Sequence, residues 1–179
     1  MKGEIHMAFK TIHGDITKVH ADALVNAANS RLLPGGGVCG AIFAKAGRLE
    51  LQAACDRIET PLNDGDAVIT SAFGIKNTKN IIHAVGPDFG STPDAVDKLY
   101  DAYRNSLELL FENGLHSISF PLISAGIFGG QLENPAYVSA CQCLKAYNEF
   151  LCDYPGYELD VRLCAFSDSD YRQAQAVFE

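Results

Sequence analysis

Two glycine-rich loops, each set between a strand-like run and a helix-like run, constrain this chain more than any other feature. The first runs from Asn26 and Asn29 through Pro34 to Gly35-Gly36-Gly37-Val38-Cys39-Gly40. The second is Ser124-Ala125-Gly126-Ile127-Phe128-Gly129-Gly130, directly after the apolar run Ile118–Ile123. Without a Cβ the backbone bends sharply and approaches a ligand closely. A helix that starts after such a loop offers free N–H groups and the positive end of its dipole, which suits phosphate. Two loops of this kind in one small fold are suited to the two phosphates of a diphosphate.

The rest of the chain supplies the strands and helices that such loops need. Strands are expected at Ala8–His13, Ala23–Asn26, Ala67–Ala72, Asn80–Val85, Ser117–Ile123 and Leu159–Phe166. A helix is expected over Ala41–Arg57, with Ile42, Leu49 and Ala53 on or near one face. Thr92-Pro93 reads as a cap with proline at the first helical position, opening a helix that Asn113-Gly114 closes. Asn134-Pro135 opens another, and Asp168–Val177 is a last helix. Strands interleaved with helices imply an α/β fold with a mixed, mostly parallel sheet covered on both faces. Ligands of such sheets bind at the carboxyl ends of the strands, where both glycine loops belong.

Charge and cysteine usage narrow the function classes. With 14 basic and 22 acidic residues the net charge is −8, which argues against non-specific binding to nucleic acid. An apolar fraction of 47% over 179 residues fits a single globular domain, 1–179; Met1–Met7 is set apart as disordered or as an added leader. No apolar run has transmembrane length and no signal-peptide pattern opens the chain. Six cysteines without a Cys-x-x-Cys pair read as free thiols of a cytoplasmic, monomeric protein. No Cys/His group has metal-ligand spacing, so neither a metal nor a cofactor is expected.

Gly35-x-Gly37-x-x-Gly40 formally matches the dinucleotide-binding fingerprint, with Glu59 near the ribose-binding distance. That match fails on context. The fingerprint's strand runs directly into its first glycine, whereas Asn26–Pro34 intervenes here, and Glu59 follows a helical stretch. A phosphate-binding P-loop fails too, because neither loop is followed by Lys and Ser/Thr. Five segments, in order, have a better match: Gly14-Asp15-Ile16-Thr17, Val25–Asn29, Gly35–Val38, Ile82–Pro87 and Pro121–Gly129. Together they resemble the macrodomain family, of the type that includes bacterial and viral ADP-ribosyl hydrolases, over nearly the whole chain. The resemblance implies a three-layer α/β/α fold that binds ADP-ribose. It further implies hydrolysis of mono-ADP-ribose esters on proteins, or of O-acetyl-ADP-ribose. Mono-ADP-ribosylated proteins are then the partners. A non-catalytic reader of such proteins is the alternative, and a nicotinamide dehydrogenase a more distant one.

The resemblance also assigns residues. Asp15, with Ile16 beside it, matches the position that accepts from the adenine amino group; its bland reading is a turn cap. Gly36, Gly37 and Val38 on one side match half of the diphosphate clamp. Ser124, Ala125, Gly126 and Ile127 match the other half. Asn29 matches the residue at the distal ribose, and Phe128 the aromatic that covers that ribose. Phe166 matches an aromatic against adenine; its bland reading is core. Cys39 stands where many hydrolases of the family carry an Asp that orients water. A thiol is a poor acceptor and does not replace a carboxylate, so the water would rely on the substrate's own phosphate. Asn26 reads as a residue that satisfies backbone groups, and His83 as a hydrogen-bonded core histidine.

Overall fold

The computed structural model describes residues 8–179, and the expectation for Met1–Met7 lies outside them. Six strands among the described residues form one sheet: β1 (Ala8–His13), β2 (Ala23–Ala28), β3 (Ala67–Ser71), β4 (Asn80–Val85), β5 (Ser117–Pro121) and β6 (Asp160–Ala165). Their order is β1-β6-β5-β2-β4-β3. Every neighbouring pair is parallel except β3 with β4. The helices are α1 (Gly37–Ala46), α2 (Arg48–Cys55), α3 (Ala95–Glu112), α4 (Pro135–Asp153) and α5 (Asp168–Gln175). The mixed, mostly parallel three-layer α/β/α arrangement is the one expected.

Strand alternation sorts the core into two halves. In β2, Ala23 and Val25 face a cluster with Leu99, Tyr103 and Leu107 of α3 and Ala140, Cys143 and Phe150 of α4. Leu24 and Ala28 face the other way, onto Ile42 and Phe43 of α1 and Leu51 of α2. Phe43, Tyr103, Phe120 and Phe150 are fully buried, each contributing about 1.5–3 kcal/mol by leaving water. Both faces of the sheet are therefore closed, and the strand ends are left for binding.

Several element boundaries differ from expectation, each for a local reason. The helix expected over Ala41–Arg57 is two. Gly47 separates them at φ 101, and its N–H bonds the Phe43 carbonyl. The change of direction turns Leu49 and Ala53 out to solvent rather than onto the face of Ile42. At its other end α1 begins earlier, at Gly37 within the glycine run. Thr92 is not a helix cap: its hydroxyl donates to Asp64 Oδ2 at 2.8 Å, and α3 starts at Ala95 after Asp94 in the left-handed region. β2 continues to Ala28 and β5 stops at Pro121, because the chain beyond it bends into the second glycine loop. α5 ends at Gln175 and passes into a 3-10 turn, Ala176–Phe178. No helix among the described residues is long and apolar enough to cross a membrane.

Candidate functional site

Four parallel strands, β1, β6, β5 and β2, end at the same sheet edge, and each delivers candidate residues there. Gly14-Asp15-Ile16 follows β1 and Phe166 follows β6. The two chain segments are held side by side by the Gly14 N–H bond to the Ala165 carbonyl at 2.9 Å. The second glycine loop follows β5, and the first follows its neighbour β2. Three interstrand steps of about 4.8 Å span roughly 14 Å along this edge.

At the β1 end Asp15 does cap a turn, as its bland reading has it. Its Oδ1 accepts from the Thr17 N–H at 2.9 Å and the Thr17 hydroxyl at 2.7 Å. The Thr17 hydroxyl holds the Asp15 carboxyl below the usual carboxylate range, against the opposing effect of burial. The second oxygen has no bond among the described residues, so an ionised acceptor is left over. Ile16 has a buried side chain, so only its backbone can face a ligand. Phe166 is 78% exposed. It is not core, and its ring stands open to solvent.

The two glycine loops supply donors. In the first turn of α1 the N–H groups of Gly37, Val38 and Cys39 have no acceptor among the described residues, as helix starts dictate. The N–H groups of Gly126, Ile127 and Phe128 are likewise unbonded within the described residues. Gly40 makes the first loop possible. Its N–H bonds the Gly36 carbonyl at 3.3 Å, and a Cβ on it would lie 2.5 Å from the Gly35 carbonyl oxygen. Ser124 is buried and its hydroxyl donates to the Pro87 carbonyl at 2.7 Å, so it braces the second loop through its side chain. Phe89 N–H bonds the Phe128 carbonyl at 2.8 Å, a second brace from the segment after β4.

At the β2 end stand Asn29, Cys39 and Phe128. The Asn29 amide clasps Leu33: Oδ1 accepts from its N–H at 3.0 Å and Nδ2 donates to its carbonyl at 2.7 Å. Cys39 is buried; its thiol donates to that same Leu33 carbonyl at 3.7 Å. Phe128 is 41% exposed on the loop opposite. Asn26 departs from expectation. Among the described residues its side chain bonds no backbone group; its Nδ2 meets His83 Nδ1 at 3.1 Å and Cys39 Sγ at 3.8 Å. His83 is the hydrogen-bonded core residue expected, with burial pushing its pKa down to about 4. The sequence marks Asn26 and His83 only singly, as polar residues within mainly apolar strands; that they meet follows from the β2–β4 register. A separate polar groove of about 520 Å³, lined by Asp64, Asp66, Thr92, Lys98 and Asp101, contains no residue of either glycine loop.

The model of the Macro domain family matches residues 25–138, a stretch that holds both loops. The chain belongs to the Macro domain family. An O-acetyl-ADP-ribose deacetylase of Citrobacter rodentium is 47% identical over 133 residues, 72% of each protein. Among solved structures, the Oceanobacillus iheyensis macrodomain with ADP superposes at a TM-score of 0.84 and 38% identity, covering 94% of this chain and 88% of that one. The Trypanosoma brucei macrodomain in complex with ADP-ribose does so at 0.81 and 30% identity, covering 94% and 68%.

Proposed function

We infer that this macrodomain binds ADP-ribose along the strand edge and hydrolyses mono-ADP-ribose esters on acidic side chains, or O-acetyl-ADP-ribose. One observation carries the reading: six backbone N–H groups without an acceptor among the described residues, on two loops that follow the neighbouring strands β5 and β2, with Asp15 and Phe166 toward the β1 end and Asn29 and Phe128 toward the β2 end. Neutral dipoles fixed by the fold suit a diphosphate in a protein of net charge −8, because they bind anions without adding cations. Adenine would lie on Phe166 with its amino group on the free Asp15 oxygen. The diphosphate would lie between the loops, and the distal ribose between Asn29 and Phe128. Held in this way the ester is fixed in distance and angle for attack by water, which supplies much of the rate. The deacetylase relative supports the ester chemistry. Modified proteins carrying the ester would be the partners of a monomeric, cytoplasmic enzyme with no cofactor.

A second reading, a reader without catalysis, is favoured by two observations at the distal end. Cys39 offers a buried thiol in place of a carboxylate, and both ends of the Asn29 amide are already engaged by Leu33. The experiment that separates the two is incubation with an ester-linked mono-ADP-ribosylated protein and with O-acetyl-ADP-ribose. Release of free ADP-ribose is followed while ADP-ribose affinity is measured in parallel. Hydrolysis is the expected outcome; tight binding with no release establishes the reader.

A further inference from the structure

A file of hydrogen-bonded side chains runs through the core from the sheet's edge strand to the distal end of the cleft. His83 Nε2 meets Thr70 Oγ1 of β3 at 2.9 Å. His83 Nδ1 meets Asn26 Nδ2 at 3.1 Å, and the same Nδ2 meets Cys39 Sγ at 3.8 Å. Cys39 and Asn29 then share the Leu33 carbonyl, at 3.7 and 2.7 Å. Five side chains on four elements and one loop are thus joined without a gap.

Donor accounting gives the file a direction. Burial keeps the His83 ring neutral, with one donor and one acceptor nitrogen. The Thr70 hydroxyl donates to the Ser71 carbonyl at 3.1 Å, so toward His83 it accepts: the proton is on Nε2, Nδ1 is the acceptor, and it takes the donor Asn26 Nδ2. The ring cannot turn over without breaking a bond at each end. The amide of Asn26 is thereby held with its nitrogen toward Cys39. Its Oδ1 is buried and has no partner among the described residues. An apolar side chain would avoid that cost, since Leu24 and Ala28 fill the same face of β2. Packing alone therefore does not account for an asparagine here.

We propose that Asn26, oriented by His83 and Thr70, is a positioning residue: through Cys39 and the Leu33 carbonyl it sets the stance of Asn29 and so the distal-ribose end of the cleft. The adenosine end, built from Asp15 after β1 and Phe166 after β6, lies outside the file. The proposal rests on the ADP-ribose reading of the cleft, and the test separates the two.

The variants are Asn26→Leu, which removes the middle of the file while keeping the branching and heavy-atom count of the side chain, and Thr70→Val, which cuts its far end on a half-buried edge strand. In the ligand-free proteins, amide exchange at Leu32 and Leu33 should quicken about fivefold or more, while Gly129 in the opposite loop stays unchanged. ADP-ribose affinity should fall about tenfold in Asn26→Leu and about threefold in Thr70→Val, with AMP affinity changed less than about twofold in either. Unchanged exchange at Leu33, or equal losses for ADP-ribose and AMP, overturns the proposal. If Asn26→Leu does not fold, Thr70→Val decides by the same readouts. A wild-type protein that binds neither ligand ends the ADP-ribose reading, and the Leu33 exchange rates still decide the file.

Discussion

Asp15 has two roles that substitution separates. One carboxylate oxygen closes the Ile16–Lys18 turn by accepting from the Thr17 N–H and hydroxyl. The other is the proposed acceptor for the adenine amino group. Removing a capping side chain costs about 1 kcal/mol of stability, which lowers the melting temperature by about 2–4 °C in a domain of this size. Losing a hydrogen bond to a charged acceptor costs about 1.5–3 kcal/mol of affinity, a factor of roughly 10 to 150 in Kd. Asp15→Ala should show both losses. Asp15→Ser keeps an oxygen that caps and removes the charged acceptor, so it should recover the melting temperature and not the affinity. Thermal melts without ligand and calorimetric titrations with ADP-ribose and AMP measure the two separately. AMP should lose as much affinity as ADP-ribose, since both carry the adenine. Full recovery of affinity in Asp15→Ser, or wild-type affinity in Asp15→Ala, refutes the adenine assignment.

Phe166→Ala should weaken ADP-ribose and AMP by about 1–3 kcal/mol through lost stacking and leave the melting temperature unchanged, because the ring is already exposed. Acid should destabilise the fold through His83. Its pKa is depressed in the native state to about 4, so its contribution is complete above about 6.5 and is lost as pH falls from there toward 4. Urea midpoints across that window should drop in wild type and flatten in His83→Gln. Cys39→Ala interrupts the file between Asn26 and Leu33, so it should weaken ADP-ribose about as Asn26→Leu does while keeping most turnover at saturating O-acetyl-ADP-ribose, and Cys39→Asp should equal or exceed wild type; abolished turnover at saturation in Cys39→Ala would make the thiol part of the chemistry.

How much of this was legible in the sequence varied with how local the cause is. β1 and β4 fall where apolar alternation and flanking turns put them. The break at Gly47 was hidden because Ile42, Leu49 and Ala53 repeat at helical spacing whether or not the helix continues between them. What decides it is the left-handed φ at Gly47, together with the Gly74 N–H that bonds the Ala46 carbonyl from another loop. Thr92-Pro93 has the chemistry of a helix start, yet its hydroxyl is claimed by Asp64, 28 residues away. The candidate site residues come from ordered motifs, and the strand order places Asp15, Phe166 and both loops at one edge. The hydrogen-bonded file was not legible, because the register that pairs Asn26 with His83 is a tertiary fact.

Calorimetric titration of the ligand-free protein with ADP-ribose, and with AMP as the truncated control, tests the central claim most directly. One ADP-ribose per chain, bound more tightly than AMP and raising the melting temperature by mass action, is the expected result. No heat and no thermal shift at millimolar ADP-ribose would contradict it.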